Sequence, residues 1–459
     1  MIAAILAAMT DLALASPFRP PRLPPPLQFL RALQDNFISV WPDSAYRDPV
    51  TAVKIGTRRM FAINSPDLAK HVLLDNAGNY HKTPVARRLF APALGEGLLT
   101  AEDEVWKRHR QLVAPMFAPR RIASLGDAMV DETARYLDAW QRLKGAEFDL
   151  TEAMVAITLA IITRTMFSAE SQEETATIAA DMDHYQKILR PSVLDFFGVP
   201  NWVPRPGTRQ AQRIGDRLTE TIASMIARRR TLAAARDDLL GLLLEAVDRG
   251  DLSAREIRDE IATVFTAGHE TTAVTLSWLF YVLDRRPEIE ARLLAEIDGV
   301  LGARPATAAD IGRIPYARMV IDEAMRLYPP AHTITRLALG PDRLGDVAIP
   351  AKSVVIISPW LIHRNPALWP DPERFDPERF SPARSEGRAR YSFIPFGAGP
   401  RICIGAGFAI TEAVLVLVTI LQHWRVRLVP DHPVEPVALI TLRPRHGLKA
   451  TAAPRVREL

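Results

Sequence analysis

The hydrophobic positions along most of this chain follow a helical period. Between about residues 65 and 300, apolar side chains recur three and four positions apart, which is the spacing of one face of an α-helix. Short strand-like runs are fewer, at 52–55 and 60–63 early in the chain and at 354–357 late. The pattern predicts a mainly α fold with a minor β-sheet.

One predicted helix is much longer than the others. Ser253 and Glu256 form the S-x-x-E pattern of a capping box, which is a good helix start, and the apolar spacing continues to Pro287. A helix of about thirty residues is roughly 45 Å long. Because it is apolar on more than one face, we expect it to cross the centre of the molecule.

A second apolar helix is predicted from Gly407 to about Trp424. Its apolar core could suggest a membrane span, but Thr411, Glu412, Gln422 and His423 bracket that core too closely. A span needs about 20 consecutive apolar residues. We therefore expect a buried helix and no integral membrane span.

The beginning of the chain is apolar from residue 2 to residue 15 except for Thr10 and Asp11. The run is too short for a spanning helix, and no positive charge precedes it as in a signal peptide. We predict a cytoplasmic protein. A peripheral membrane contact through residues 1–15 stays open.

Domain organisation follows from the absence of a glycine- or serine-rich linker. The proline-dense stretch 365–382 contains Trp369, Phe375 and Phe380, which indicates a packed meander rather than a tether. We predict an apolar and then proline-rich segment at 1–26, followed by a single domain at 27–459.

Charge and cysteine content exclude several classes of function. The 57 Lys and Arg residues are dispersed among 53 Asp and Glu residues, for a net charge of +4, so no nucleic-acid-binding stripe is predicted. Docking of an acidic protein is compatible with this charge. The single cysteine, Cys403, excludes an intramolecular disulfide, a zinc site of several cysteines and a cysteine-ligated iron–sulfur cluster.

Cys403 lies in the loop Phe396-Gly397-Ala398-Gly399-Pro400-Arg401-Ile402-Cys403-Ile404-Gly405. A lone cysteine is most often an inert buried side chain, and a nucleophile would need a nearby base that the sequence does not reveal. Glycines on both sides let the backbone turn tightly and bring amide groups toward the sulfur. Hydrogen bonds of that kind tune a metal-ligating sulfur.

This loop resembles the haem-binding loop of the cytochrome P450 family of haem-thiolate monooxygenases. The resemblance implies the cytochrome P450 fold, with haem b (iron protoporphyrin IX) buried between the long central helix and the cysteine loop. It implies that Cys403 is the proximal iron ligand, that Phe396 packs over the sulfur and that Arg401 pairs with a haem propionate. Gly397 and Gly405 are then cofactor-binding positions.

The long helix contains a second match, Ala267-Gly268-His269-Glu270-Thr271-Thr272. One interpretation is a patch of small residues that lets another helix approach. The other follows from O₂ chemistry, because a carboxylate beside an alcohol can relay protons through ordered water. By resemblance, Ala267 and Gly268 leave room for O₂, and Glu270 and Thr271 are the acid–alcohol pair.

A third match is the pair Glu323 and Arg326, whose spacing places both charges on one helix face. The resemblance joins them to Arg379 in a structural ion network. Residues 371–375 nearly repeat 376–380. We choose the second copy because its distance from the cysteine loop fits the family better, so Arg374 is predicted at the surface.

Partners for the two haem carboxylates form the fourth match. Trp106 and Arg110 lie four positions apart and share a helix face, where the indole N–H and the guanidinium are donors. A basic amphipathic helix with a core tryptophan is the alternative. Arg336 matches another propionate-binding position of the family.

The resemblance implies an enzyme that uses O₂ to hydroxylate or epoxidise a hydrophobic small molecule such as a terpenoid, fatty acid or aromatic. Electrons from NAD(P)H are expected to arrive through a separate ferredoxin and ferredoxin reductase. Two alternatives are a haem-thiolate protein that binds gases without turnover and a non-haem cysteine hydrolase. The positions expected to face substrate are mainly apolar: Phe90, Leu94, Phe196, Phe197, Phe265, Ile334 and Ile440.

Overall fold

The computed structural model describes residues 14–55, 58–168, 172–188, 192–196, 199, 203, 205–231 and 237–456. The fold is mainly helical with small sheets, as the apolar spacing predicts. The helices are α1 (Pro26–Asp35), α2 (Pro66–Lys70), α3 (Pro84–Leu94), α4 (Asp103–Val113), α5 (Pro119–Ser124), α6 (Gly126–Trp140), α7 (Leu150–Phe167), α8 (Gln172–Ile188), α9 (Val193–Phe196), α10 (Thr208–Thr231), α11 (Leu239–Asp248), α12 (Ala254–Arg285), α13 (Pro287–Leu301), α14 (Pro315–Leu327), α15 (Pro359–Ile362), α16 (Pro382–Ser385) and α17 (Ala406–His423).

The strands form small sheets. They are β1 (Val50–Ile55), β2 (Arg58–Ile63), β3 (Tyr80–His81), β4 (Phe148–Asp149), β5 (Ile334–Ala338), β6 (Asp342–Leu344), β7 (Val347–Ile349), β8 (Val354–Ile357), β9 (Trp424–Leu428), β10 (Pro436–Ala438), β11 (Leu442–Pro444) and β12 (Lys449–Pro454). The largest sheet has the order β1-β2-β8-β5-β3, and β2 pairs with β8 in parallel with Phe61 opposite Val355. The three strand-like runs of the sequence are β1, β2 and β8 in this one sheet.

The long helix α12 is the centre of the fold. It has 32 residues, and the predicted capping box is present, since Ser253 accepts from the Glu256 amide and the Glu256 side chain accepts from the Ser253 amide. It packs against α7, α14 and α17. Most of its side chains are buried, which fits a helix that is apolar on more than one face.

The proline-dense stretch 365–382 is packed against the protein. The Trp369 and Phe375 side chains are buried, and the Trp369 ring lies 5.9 Å from that of Phe380. Aromatic burial of this kind favours one fixed conformation of the stretch, as the sequence predicts.

Two of the described helices, α7 and α17, are long and apolar enough to cross a membrane by length and composition alone. Their apolar windows are 61% and 72% buried inside the protein, as the core helices of a folded domain also are.

Residues 1–13 of the apolar beginning lie outside the described residues. Ala15, the last residue of this apolar run, is held by two tyrosines. Its amide donates to the Tyr281 hydroxyl (2.8 Å), and its carbonyl accepts from the Tyr328 hydroxyl (2.9 Å).

Candidate active site

Cys403 lies in a tight loop just before the first turn of α17. Its amide donates to the carbonyl of Phe396 (2.9 Å), which closes the loop. Gly397 and Gly399 have φ angles of 72° and 70°, a left-handed conformation that favours glycine. A Cβ atom at Gly399 would also lie 1.8 Å from the carbonyl oxygen of Leu73. These glycines are therefore required by the backbone that presents the sulfur.

The residue Cys403 is exposed, although protein surrounds its thiol closely enough to perturb the pKa. Burial raises the pKa of the thiol, while a hydrogen bond from the Gly405 amide and the charge of Arg110 act in the opposite direction. Arg110 is held nearby because its guanidinium donates to the carbonyl of Ile402 (2.7 Å).

One short face of α12 is accessible within an otherwise buried helix. From residue 259 to residue 283, the accessible positions are Ala267, Gly268 and Thr271, whose spacing puts them on one face. The Thr271 hydroxyl donates to the Ala267 carbonyl (3.0 Å). A Cβ atom at Gly268 would lie 2.1 Å from Ile162 Cδ1, so this glycine also lets α7 approach. The structure is therefore compatible with both interpretations of the motif, the close approach of another helix and an accessible surface for O₂ chemistry.

Glu270 lies beside this face but has other partners. Its buried carboxylate accepts from the Thr441 hydroxyl (2.6 Å) and forms an ion pair with Arg443. The Thr271 hydroxyl donates to the Ala267 carbonyl instead. The acid and the alcohol are sequence neighbours whose side chains have different partners.

A cluster of cations surrounds Glu102, at the start of α4. Arg401 forms an ion pair with Glu102, and Lys82 Nζ lies 3.9 Å from a Glu102 oxygen. Burial, with a contribution from Arg401, lowers the pKa of Lys82 to about 7. Burial also lowers the pKa of Arg336 to about 10. Two arginines and a lysine that is about half protonated at neutral pH therefore lie close together, which suits an anion with two carboxylates.

The sequence motifs identify only some of the cations in this cluster. Arg336 and Arg401 belong to predicted motifs, but Arg401 pairs with Glu102, the carboxylate nearest to it, and its guanidinium lies 4.1 Å above the Trp106 ring. Lys82 is not predicted. It belongs to no recognisable pattern, and it lies at Glu102 through a tertiary contact, in which its amide donates to the Glu102 carboxylate (2.7 Å).

The three charges of the predicted ion network meet in the core. Arg326 binds the Glu323 carboxylate through two nitrogens (2.6 and 2.8 Å), and Arg379 Nε lies 3.4 Å from Glu323. Arg326 also donates to the carbonyls of His363 and Pro372 (2.9 and 2.7 Å). All three charged side chains are buried.

The residues expected to face substrate divide into two groups. Leu94 and Phe265 are fully buried, and the Phe265 ring is stacked on Phe167 with 4.2 Å between centroids, so these two are core residues in this structure. Phe90, Ile334 and Ile440 are partly accessible. The side chains of 196 and 197 lie outside the described residues.

The donor set fits an iron porphyrin better than a bare metal ion. Within the part of the chain that the structure describes, no group of three or more His, Cys, Asp or Glu side chains could hold a metal. A single thiolate suffices when the porphyrin supplies the equatorial nitrogens. The excess charge around Glu102 suits the two carboxylates of that group.

Comparisons with known proteins agree with this geometry. The family model described as cytochrome P450 matches residues 27–448. Cyclooctat-9-en-7-ol 5-monooxygenase of Streptomyces melanosporofaciens is 35% identical, over 88% of this chain and 86% of that protein. Pentalenene oxygenase of Streptomyces avermitilis is 34% identical, over 91% of this chain and 90% of that protein. The crystal structure of the cytochrome P450DA heme domain has a fold with a TM-score of 0.82, at 24% identity, over 96% of this chain and 99% of that one.

Proposed function

The chain belongs to the cytochrome P450 family and is a haem-thiolate monooxygenase of a hydrophobic substrate, and we propose that Cys403 is the thiolate that binds the haem iron. When bound, the haem supplies the iron at which O₂ is activated for transfer of one oxygen atom to substrate. The exposed Cys403, in a loop that its glycines and the Phe396 carbonyl hold in shape, is the observation that supports this assignment most directly.

The haem is proposed to be haem b. A haem attached through two thioether bonds needs two further cysteines, and Cys403 is the only cysteine of the chain. The cations Lys82, Arg336 and Arg401 are proposed to hold the propionates, with Trp106 and Arg110 on the neighbouring face of α4. Arg110 has a second effect, since its charge partly opposes the rise that burial causes in the pKa of the Cys403 thiol and so favours the thiolate.

Proton delivery is proposed to use Thr271 and Glu270. The Thr271 hydroxyl lies on the accessible face of α12, so it can accept a hydrogen bond from water and, on turning away from the Ala267 carbonyl, donate its own proton into the site. Glu270 is held by Arg443 and Thr441. Its carboxylate can take part only if it leaves that ion pair or passes protons through an ordered water.

Electrons are proposed to pass from NAD(P)H to a ferredoxin reductase, then to a ferredoxin and finally to this chain. The described residues form the cytochrome P450 fold and contain no recognisable flavin- or nicotinamide-binding domain. We propose that residues 27–459 are one domain and that the protein is cytoplasmic.

The substrate is proposed to be a terpenoid. The related enzymes are named for cyclooctat-9-en-7-ol and pentalenene, and the partly accessible Phe90, Ile334 and Ile440 offer an apolar surface to such a molecule. Titration with cyclic terpene hydrocarbons and alcohols should shift the Soret band of the ferric protein. If fatty acids shift that band and the terpenes do not, the terpenoid assignment is wrong.

The thiolate assignment is tested by the spectrum of the reduced protein under carbon monoxide. We expect a strongly red-shifted Soret band in the wild type and its loss in Cys403→Ser, because a serine oxygen donates far less electron density to iron than a thiolate. Ser392→Ala is a control, since Ser392 is buried but bonds only to the Ala389 carbonyl. A red-shifted band in Cys403→Ser would overturn the proposal.

A further inference from the structure

A carboxyl group without a cation lies in the core between the two helices that flank the proposed haem site. Glu412 is in the second turn of α17, nine positions after Cys403, and its side chain is fully buried. Neither carboxyl oxygen makes a hydrogen bond of normal length and angle. No ion pair to Glu412 occurs among the described residues. The iron site as proposed above does not use this residue.

The hydroxyl group that faces Glu412 is also without a normal partner. Most hydroxyl residues in the middle of α12 donate to the carbonyl four positions earlier, namely Thr266, Thr271, Thr275 and Ser277. The Thr272 hydroxyl does not, although it is buried. Its helix, α12, packs directly against α17, and the hydroxyl is close enough to Glu412 to lower the pKa of that carboxyl group.

A charged carboxylate is not expected in this place. Burial raises the pKa of Glu412 well above its ordinary value of 4.5, and the contact with Thr272 only partly opposes it. A neutral carboxyl group has one O–H donor. One hydrogen bond from that donor to the threonine oxygen would give each of the two buried groups a partner, and a buried polar group without any partner is costly.

We infer that Glu412 is a positioning residue, whose protonated carboxyl group donates to Thr272 Oγ1 and so joins α17 to α12. Thr272 directly follows Thr271, and α17 begins three positions after Cys403. The bond therefore sets the distance between the helix turn with the proposed alcohol and the helix beside the proposed ligand. The inference rests on the proposed function for its catalytic consequence only, because the bond itself requires no haem.

Infrared spectroscopy tests the bond, with the haem present or removed. The difference spectrum of wild type minus Glu412→Gln should contain the C=O band of a protonated carboxyl group. Thr272→Val should move that band to higher frequency, because the carboxyl group loses its partner. Thr419→Val should leave it in place, since Thr419 is equally buried, lies on the same helix as Glu412 and bonds only to its own helix at Leu415. A missing or unmoved band would overturn the inference.

Coupling of NADH consumption to product formation tests the positioning role. We expect Thr272→Val and Glu412→Leu to lower product per NADH by roughly threefold, the effect of one neutral hydrogen bond. Glu412→Gln should retain most of the coupling, because its amide can donate to the same oxygen, and Thr419→Val should equal the wild type. Unchanged coupling in Thr272→Val would overturn the positioning role. Loss of the carbon monoxide band in the wild type would instead contradict the proposed function and leave the infrared result valid.

Discussion

Thr271 and Glu270 are neighbours in the sequence but have different surroundings. The Thr271 side chain lies on the accessible face of α12, while the Glu270 carboxylate is buried against Arg443 and Thr441. A helix turns by about 100° per residue, and here that turn directs Glu270 toward Arg443 and Thr441 while Thr271 stays on the accessible face. At this scale, the acid–alcohol pair needs a connecting water rather than direct contact.

Replacement of Thr271 tests the role of its hydroxyl. We expect Thr271→Ala to lower product per O₂ by at least about tenfold, because proton transfer by a positioned group contributes about 10²–10⁴-fold to rate. Substrate binding, followed by the Soret shift of the ferric protein, should change little. The measurement is product yield against O₂ consumed, with a ferredoxin system.

Thr275→Ala is the matched control for this substitution. Its hydroxyl donates to the Thr271 carbonyl within the same helix (2.8 Å) and is buried. If Thr271→Ala has the same product yield as Thr275→Ala and the wild type, Thr271 has no role in proton delivery.

At the scale of secondary-structure elements, the ion network connects α14 to the meander before the cysteine loop. Glu323 and Arg326 are on α14, and Arg379 belongs to the second of two nearly identical segments. Arg374 of the first segment is exposed, although its carbonyl accepts from Arg326 (3.1 Å). The choice between the two copies from distance along the chain agrees with the contacts in the structure.

The two copies provide a controlled stability experiment. We expect Arg379→Ala to lower the free energy of unfolding by about 3 kcal/mol, because it removes one partner of a buried carboxylate. The exposed Arg374→Ala should change it by about 0.5 kcal/mol or less. Urea unfolding followed by tryptophan fluorescence measures both. Equal effects of the two substitutions would mean that Arg379 is no more important than a surface arginine.

A buried histidine joins α4 to α12. His109 lies 2.7 Å from Glu260 and 3.2 Å from Glu256, and Arg108 also pairs with Glu256. Burial alone would lower the pKa of His109, but its hydrogen bonds and charge interactions with the two carboxylates raise it above 6.5. Burial raises the pKa of Glu260, next to which Asp259 adds a like charge. Both groups therefore hold protons more tightly in the folded protein.

The pH dependence of stability follows from these shifts. Because folding raises the pKa of His109, protonated His109 stabilises the fold at low pH. That contribution is lost as the pH rises above 6.5, the ordinary pKa of histidine, and through the pKa of His109 in the folded protein. We expect the melting temperature of the wild type to fall more between about pH 6 and pH 9 than that of His109→Gln. His446→Gln, at an exposed histidine, should behave as the wild type. A steeper fall in His109→Gln would show that the sign is wrong.

At the scale of the whole molecule, the net charge of +4 favours an acidic electron donor. Charges at the rim of an interface steer encounter more than they add affinity, and salt screens them over about 8–10 Å at moderate ionic strength. The proposed ferredoxin partner should therefore reach the chain at a rate that depends on salt.

A salt titration tests this steering. With an acidic ferredoxin in limiting amount, kcat/KM for the ferredoxin should fall several-fold between about 0.05 and 0.5 M NaCl. Reduction of the same protein by dithionite should depend much less on salt and serves as the control. Equal salt dependence of the two reactions would contradict electrostatic docking.

The sequence alone determined the elements and the chemical groups of this protein. The capping box at Ser253 and the apolar spacing define α12 locally, and the glycines around Cys403 are needed by the loop's own backbone. Tertiary structure decided the partners. Lys82 joins Arg401 at Glu102, Glu270 binds Arg443, and Thr272 faces Glu412. These contacts join residues far apart along the chain, and local propensity contains no information about which buried charge or hydroxyl group will meet which partner.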